Sequence, residues 1–550
     1  MTVKSLLSDF AKTTTGHGWG NIHERKSMCT KVAWLIFCIA STLASVGHVT
    51  SIIYRYSLFE TKDRVLVQRQ DLLFPSVTIC PLTQMSKQGI LKYFEDVSNE
   101  DDETISSMTA LQKLLADMGE LDNNKTLLSE VSSERQQFYE KFFNRLYTYN
   151  GFYENVPTVT KYGHNKHDFI SSCTYQGKPC SDEDVHSLIH SHYYKCFTFN
   201  DINTTLSNPY SNTTGPTGGL SLQLFLDTDE NIYAIYNPEH PTSGNQGVRV
   251  VIHEKGTLPD PENEGFEIEQ SHSVNVALSV TRRELMKPPW GECTEHPLLD
   301  EDGYTFNTRV CQMRCLQKMV YKSCECKRGS LPMYPDVENV QFCNKIQYNE
   351  WIKKNPNITA LLYDLEKLQC GMTEYNLDVV LGQDDCQCKD NCSYNTYDMT
   401  LSQSQWPKKG VELDFYCRKI IHLPNYNNSS VYKAFHDQME PLCTNIYSDS
   451  NSNFTNWNGV KQEVGDQLRE NFIRLNVYFK DLETKIIKQE PDFALGSMIS
   501  EIGGSLGIFI GVSIITIAEV FILCLSIIRV LGEKSKVMST PDPKGVKQWP

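Results

Sequence analysis

Positive charge is scarce in this sequence, and long apolar runs are scarcer. Lys and Arg number 52 against 67 Asp and Glu, a formal net charge of -15. Binding a phosphate backbone needs a basic surface, so a nucleic-acid partner is excluded. Only two stretches are long and apolar enough to cross a bilayer, and the mean hydropathy is -0.39. A many-pass membrane protein is excluded on that ground. Neither the HExxH zinc motif nor the GxxxxGK[ST] phosphate loop occurs. Gly503-Gly504-Ser505-Leu506-Gly507 spells a hydrolase nucleophile elbow, but it opens a membrane helix where the elbow needs a strand, a turn and a His/Asp partner set. No enzyme is expected, and no internal repeat is evident.

Against these absences stand 19 cysteines in 550 residues, a high count for a reducing compartment. Hydrophobic residues make up 40% and charged residues 22%, ordinary values for a folded chain.

The first apolar stretch covers residues 32–54 and holds no Lys, Arg, Asp or Glu. At about 1.5 Å per residue it matches a hydrocarbon core of about 30 Å. The 31 residues before it are too long and polar for a signal-peptide leader, and no small-x-small cleavage site follows Ile53, so it reads as an uncleaved span. The second stretch covers residues 501–530 and contains IGGSLGIFIGVSIITIAEVFILCLSIIRV. Buried core helices are rarely this long without charge.

Flanking charge sets the orientation. Residues 1–31 carry Lys4, Lys12, Arg25, Lys26 and Lys31 against Asp9 and Glu24, and residues 531–550, with Arg529 just before them, are also net positive. Both ends are expected in the cytosol. Asn-x-Ser/Thr occurs at Asn124, Asn203, Asn212, Asn357, Asn391, Asn427, Asn428 and Asn453, all between the spans. That fits a glycosylated exterior. Cys29, Cys38 and Cys524 lie in or beside the spans, and the other cysteines fall in the middle in even number. Residues 55–500 are therefore expected as one acidic extracellular domain, able to concentrate cations, although acidity also serves solubility.

Within it, residues 65–80 alternate and end in FPSVTIC, a strand with a turn at Pro75. Residues 100–103 read as an acidic loop, and residues 133–136 as a capping box before the stripe Phe138, Phe142, Phe143 and Leu146. Residues 207–219 form a Pro/Gly/Asn loop, followed by strands at 220–227 and 248–253. Ile473, Leu475, Val477 and Phe479 alternate with Arg474, Asn476, Tyr478 and Lys480, a period-2 strand leading to the bilayer. The mix predicts a sheet-centred α+β domain with peripheral helices. His164, His167, His186, His190 and His192 crowd one stretch. A metal or pH-sensing site is one reading, and unrelated exposed histidines are the better one.

From Cys293 the cysteines are dense. Cys311-x-x-x-Cys315 puts two thiols on one helix face, and Cys386-x-Cys388-x-x-x-Cys392 offers a complementary group. Outside the cell thiols oxidise, which favours a disulfide ladder over zinc, and spacing leaves the pairing open.

The second span has more than apolar bulk. Gly503, Gly507 and Gly511 recur every four residues, a face on which backbones approach closely. Gly511-Val512-Ser513 puts small and polar groups in mid-membrane. A break there would turn carbonyls toward a water-filled lumen. Glu519 is costly, about 2.5–3.5 kcal/mol on insertion scales. It calls for an aqueous path, and in a ring of subunits it makes an acidic ring attractive to cations.

With these residues in view, the chain resembles the degenerin/epithelial sodium channel/acid-sensing ion channel family over nearly its whole length. His17-Gly18 is similar to the family's motif before the first span, and FPSVTIC at 74–80 to its post-span signature. CFTFN at 196–200, GLSLQLFLD at 219–227 and PPWGEC at 288–293 match further family segments, and residues 502–520 match the pore helix, the most specific signal. The overall pattern most resembles invertebrate FMRFamide-gated channels.

The resemblance implies a homotrimer, with two further copies of the chain as partners beside the lipid bilayer. It implies a hand-like ectodomain of palm, thumb, finger, knuckle and β-ball, and a plasma-membrane location. It implies a sodium-selective, amiloride-sensitive pore with permeant Na+, no cofactor and no metal. Gly511, Val512 and Ser513 would be the selectivity belt. His17 and Gly18 would line the lower pore, Gly504 and Glu519 the pore helix. Gly507 sits at the amiloride-linked position and Ser500 at the degenerin site. Trp290 would couple the ectodomain to the first span. Its usual Tyr partner aligns with Leu58, leaving Tyr54, Tyr56 or Phe59 as candidates. The implied disulfides are Cys80–Cys196, Cys173–Cys180, Cys293–Cys392, Cys311–Cys388, Cys315–Cys386, Cys324–Cys370 and Cys326–Cys343, which leaves Cys417–Cys443 as an extra pair. An extracellular FMRFamide-like peptide is the expected ligand. The alternatives are a proton-gated or constitutively open channel of the same family and, more remotely, a two-span adhesion or receptor protein without conduction.

Overall fold

A computed structural model describes residues 27–83, 161–190, 193–227, 245–295, 303–328, 388–422 and 460–538, with isolated positions elsewhere. The acidic loop at 100–103, the 133–146 segment, His192 and the sequons at Asn124, Asn357, Asn427, Asn428 and Asn453 lie outside the described residues.

The chain opens with helix α1 (Met28–Ser57), then strands β1 (Thr61–Arg69), β2 (Leu72–Leu73) and β3 (Ser76–Pro81). Next come β4 (Ile170–Tyr175), β5 (Lys178–Pro179), β6 (Val185–His190), β7 (Tyr194–Phe199), β8 (Tyr210–Ser211) and β9 (Leu220–Phe225). β10 (Val248–His253), β11 (Phe266–Ile268) and β12 (His272–Glu284) precede helix α2 (Thr308–Cys324). β13 (Ser393–Gln405), α3 (Glu412–Arg418), α4 (Val460–Asn471) and β14 (Phe472–Pro491) lead to helices α5 (Leu495–Ile510) and α6 (Ile514–Met538).

These elements form two compact units, one of Met1–Arg64, Met286–Glu292 and Gln489–Pro550, the other of Val65–Leu285 and Cys293–Lys488. The larger unit is β-rich. A seven-stranded sheet runs β13-β12-β14-β9-β4-β5, with β1 pairing β14, and a five-stranded sheet runs β11-β10-β3-β7-β6. β14 lies parallel to β12, with Arg474 opposite Ser273, and antiparallel to β9, with Leu475 opposite Leu222. Its alternation decides its faces. Ile473, Leu475, Val477 and Phe479 are buried, and Arg474, Asn476 and Tyr478 are half-exposed. With Phe74, Ile79, Phe197, Leu222, Leu224 and Val276 they build one core. Each such side chain contributes roughly 1.5–3 kcal/mol by leaving water.

The expected strand over 65–80 is in fact β1, β2 and β3, interrupted at Gln70-Asp71 and again at Phe74-Pro75. Proline brings no N–H to a ladder, so pairing restarts only beyond it. The 207–219 loop contains β8, which pairs with β2.

Eight disulfides join Cys80–Cys196, Cys173–Cys180, Cys293–Cys392, Cys311–Cys388, Cys315–Cys386, Cys324–Cys370, Cys326–Cys343 and Cys417–Cys443. α2 carries three of those cysteines, and its apolar side, Met313, Leu316 and Val320, packs with Cys326, Cys343 and Leu331. Asn307 caps its start by accepting from the Arg309 N–H at 2.8 Å. Cys29, Cys38 and Cys524 are free thiols.

The crowded histidines differ from the exposed set expected. His164 is buried, hydrogen-bonded to the Thr83 carbonyl at 2.9 Å, and burial pushes its imidazole down to about 4. The Phe169 ring packs against it edge-on, with centroids 5.4 Å apart. His167 and His186 lie nearer solvent beside Asp182 and Asp201, and His190 rests on Tyr193.

In the smaller unit, α1 and the segment Ile514–Leu531 are long and apolar enough to cross a membrane. Their large side chains stand exposed, including Ile36, Phe37, Leu43 and Val46 on one and Ile514, Phe521, Ile522 and Ile528 on the other. Helices apolar all round need a nonaqueous surround.

Candidate functional site

The second apolar stretch is built of two helices, α5 and α6, rather than one continuous helix. Gly511, Val512 and Ser513 lie between α5 and α6 outside any helix. Gly511 has φ 65° and ψ 23°, the left-handed region that glycine enters without a Cβ clash. Its N–H donates to the Gly507 carbonyl at 3.1 Å, and that of Val512 to the Leu506 carbonyl at 3.2 Å. Ser513 then starts α6. Its Oγ accepts from the Thr516 N–H at 3.3 Å, and its carbonyl accepts from the Ile517 N–H at 3.1 Å. A glycine stop and a serine cap thus account for both sides of the break. A helix end leaves its last carbonyls without intrahelical partners. In a bilayer such backbone is tolerated where protein or water covers it, and carbonyl oxygens of this kind replace a cation's hydration shell.

One stripe of α5 is small. Ser500, Gly504, Gly507 and Gly511 follow at intervals of four, three and four, which places them on one face. Ser500 is exposed, and no atom lies within 4 Å of a Cβ built at Gly503, Gly504 or Gly507. Ser505, elsewhere on the helix, is buried and shares a hydrogen bond of 3.1 Å with His48 Nδ1 of α1. Phe509 packs on the same imidazole, with centroids 6.2 Å apart. α5 therefore meets α1 through Ser505 and Phe509, and among the described residues none covers its small stripe, which is open to close approach by another backbone.

Glu519 is partly exposed on α6, and Thr14 Oγ1 donates to its Oε2 at 3.1 Å. Thr14 ends a short turn in which its N–H donates to the Phe10 carbonyl at 2.9 Å. His17 and Gly18, three and four positions on, lie outside the described residues.

At the C-terminal end of α1, Trp290 meets two rings edge-on: Tyr56 at 6.1 Å and Phe59 at 5.4 Å between centroids. Tyr54 is exposed. Two residues along a helix turn a side chain by about 200°, so Tyr54 and Tyr56 face opposite ways. Phe59 reaches Trp290 from a left-handed conformation, φ 49°, just past the helix end. Among the described sequons, Asn203 and Asn212 are exposed and Asn391 is half-buried.

Sequence reasoning did not single out His48, Thr14 or Arg55. His48 carried a usable signal, since a polar side chain in an apolar span calls for a partner. Thr14 had none, because its contact spans 505 residues.

Comparison with known proteins follows the same lines. The family model described as amiloride-sensitive sodium channel matches residues 10–523. The chain is 26% identical over 563 residues to the FMRFamide-activated amiloride-sensitive sodium channel of Cornu aspersum, covering 96% of this chain and 83% of that protein. It is 25% identical over 532 residues to acid-sensing ion channel 1 of Gallus gallus, covering 95% and 84%. With the bile acid-sensitive ion channel of Rattus norvegicus it shares 25% identity over 531 residues, covering 94% and 87%.

Proposed function

The chain belongs to the amiloride-sensitive sodium channel family, whose members are ion channels and not enzymes, and from that premise we propose that it is a peptide-gated sodium channel of the plasma membrane. Three copies surround one axis, each contributing α5 and α6 to the pore. Both termini are cytosolic, and residues 55–500 are outside. Gly511, Val512 and Ser513 form the selectivity belt, and Glu519 makes an acidic ring below it. Ser500, Gly504 and Gly507 line the wider outer pore, and His17-Gly18 the cytosolic mouth.

The observation that carries this reading is the capped break at Gly511–Ser513, inside a segment whose apolar side chains require lipid. A passive anchor has no use for a left-handed glycine there. The ligand acts by binding the open arrangement better than the closed one, since equal affinity shifts nothing. Peptide gating rests on the Cornu aspersum relative, which matches over 96% of this chain.

Whole-cell recording with FMRFamide, surface expression confirmed, tests the proposal. An amiloride-blocked inward sodium current is expected. Silence to a panel of RF-amide peptides removes the peptide assignment. The similarity to acid-sensing channel 1 supports a second reading, proton gating, and a step to pH 5 that opens the channel without peptide selects it.

A further inference from the structure

The outer end of α1 faces two ways. Tyr56, with Phe59 beyond it, addresses Trp290. Arg55, adjacent to Tyr56 but about 100° round the helix, takes other partners. Its Nη2 lies 3.3 Å from Asp492 Oδ2, and its guanidinium sits 4.6 Å above the centre of the Phe493 ring. The Asp492 N–H donates to the Glu60 carbonyl at 2.9 Å. Phe493 is buried, so the ring beneath the cation is held in place.

Asp492 and Phe493 are the lead-in to α5. β14 ends at Pro491, and α5 starts at Leu495. Ala494, at the N-cap, makes no side-chain cap, so α5 does not secure its own start. What grips this lead-in is α1 and the residues just past it. The ring contacts of Trp290 are to Tyr56 and Phe59, on the other side of the helix end from Arg55.

We infer that Arg55 is a positioning residue for gating: with the Glu60 carbonyl it clasps Asp492-Phe493, so that the first span and the start of the pore helix move together. This deepens the channel reading above and rests on it. The plain alternative is an incidental surface pair, because side-chain exposures of 52% and 37% put Arg55–Asp492 among contacts that contribute little. Three features argue for more. The guanidinium lies on a buried ring. Arg55 sits in the last turn of α1, where the helix dipole favours a cation. The backbone bond to Glu60 holds Asp492 in place, so less freedom is lost when the pair forms.

The experiment is a charge-swap series in the full chain, with surface expression measured by biotinylation. The readout is the FMRFamide concentration for half-maximal sodium current, or the half-activating pH if acid opens the channel. Arg55→Ala and Asp492→Ala are each expected to shift the midpoint about two- to tenfold in the same direction, the range for a partly screened pair with a cation–π contact. Arg55→Lys keeps charge but loses planar stacking, and recovers part of the shift. Arg55→Asp combined with Asp492→Arg returns the midpoint to within about twofold of wild type, which a merely structural role would not produce. Midpoints unchanged in both alanine variants, or a swap no better than the single charge reversals, overturn the clasp and leave the channel reading intact. A wild type at the surface yet silent to peptides and to pH 5 overturns that reading, and the clasp falls with it.

Discussion

Between Met28 and Ser57 the first apolar segment runs 30 residues without a break; the second stops at Ile510 and restarts at Ile514. Both expose bulky apolar side chains, and both contain glycine. Gly47 sits inside α1 with no atom within 4 Å of an added Cβ. Gly511 sits at φ 65°, where a Cβ meets its own backbone. The polar residues differ in the same way. Thr42 and Thr50 of α1 donate back to the carbonyls of Cys38 and Val46, which conceals them within their own helix. Ser513 instead caps a new helix. Crossing a membrane needs only an apolar surface and a closed backbone ladder. Where the ladder is opened and its ends are capped, the sequence is serving something besides insertion.

The sharpest way to break this contrast is one substitution made in both spans. Gly511→Ala forces a Cβ into the left-handed region at about 1–2 kcal/mol. Patch recording should show sodium current reduced about tenfold or more, whereas Gly47→Ala changes it less than about twofold. Equal losses would mean that the break has no special role. A smaller effect is expected from Ser513→Ala, which removes the α6 cap at about 0.5–2 kcal/mol. Reversal potentials should then report a severalfold drop in the sodium-to-potassium permeability ratio, while Thr50→Ala leaves the ratio unchanged. Glu519→Gln removes a charge but keeps the acceptor for Thr14. Single-channel conductance should fall about twofold at low salt, and less at high salt as screening takes over.

The smallest effect belongs to the ectodomain and keeps pH changes from being credited to the spans. Burial holds His253 down to about 4, with Thr78 and Thr257 each 2.9 Å from its ring nitrogens. In the folded chain it stays neutral, while the unfolded chain binds protons below about pH 6.5. The stability this secures is complete above pH 6.5 and lost as pH falls toward 4. Thermal melts of the purified protein should show Tm falling by a few degrees, roughly, from pH 7 to pH 5, with a shallower fall in His253→Gln. A slope unchanged by that substitution contradicts this account.

Much of the fold is legible in the sequence wherever a local period governs it. β14 declares itself because Ile473, Leu475, Val477 and Phe479 alternate with polar residues, and α1 does so by the charge-free run over 32–54. The Gly511-x-Ser513 spacing points to the break, since each residue type has a conformational reason to be there. Contacts between distant segments are less visible. Tyr54, Tyr56 and Phe59 are equal candidates for Trp290 until helix phase separates Tyr54 from Tyr56. Arg55–Asp492 and His48–Ser505 join residues 437 and 457 positions apart, and no local pattern announces them. His164 reads as one of a crowd until the fold buries it against Phe169.

The central claim is that the broken second span conducts sodium. Its most direct test is sodium uptake into vesicles reconstituted with the purified chain, with FMRFamide or pH 5 as stimulus. The account predicts uptake that amiloride stops, that Gly47→Ala retains and that Gly511→Ala loses. Vesicles that take up no sodium under either stimulus, or as much with Gly511→Ala as with the unaltered chain, would contradict it.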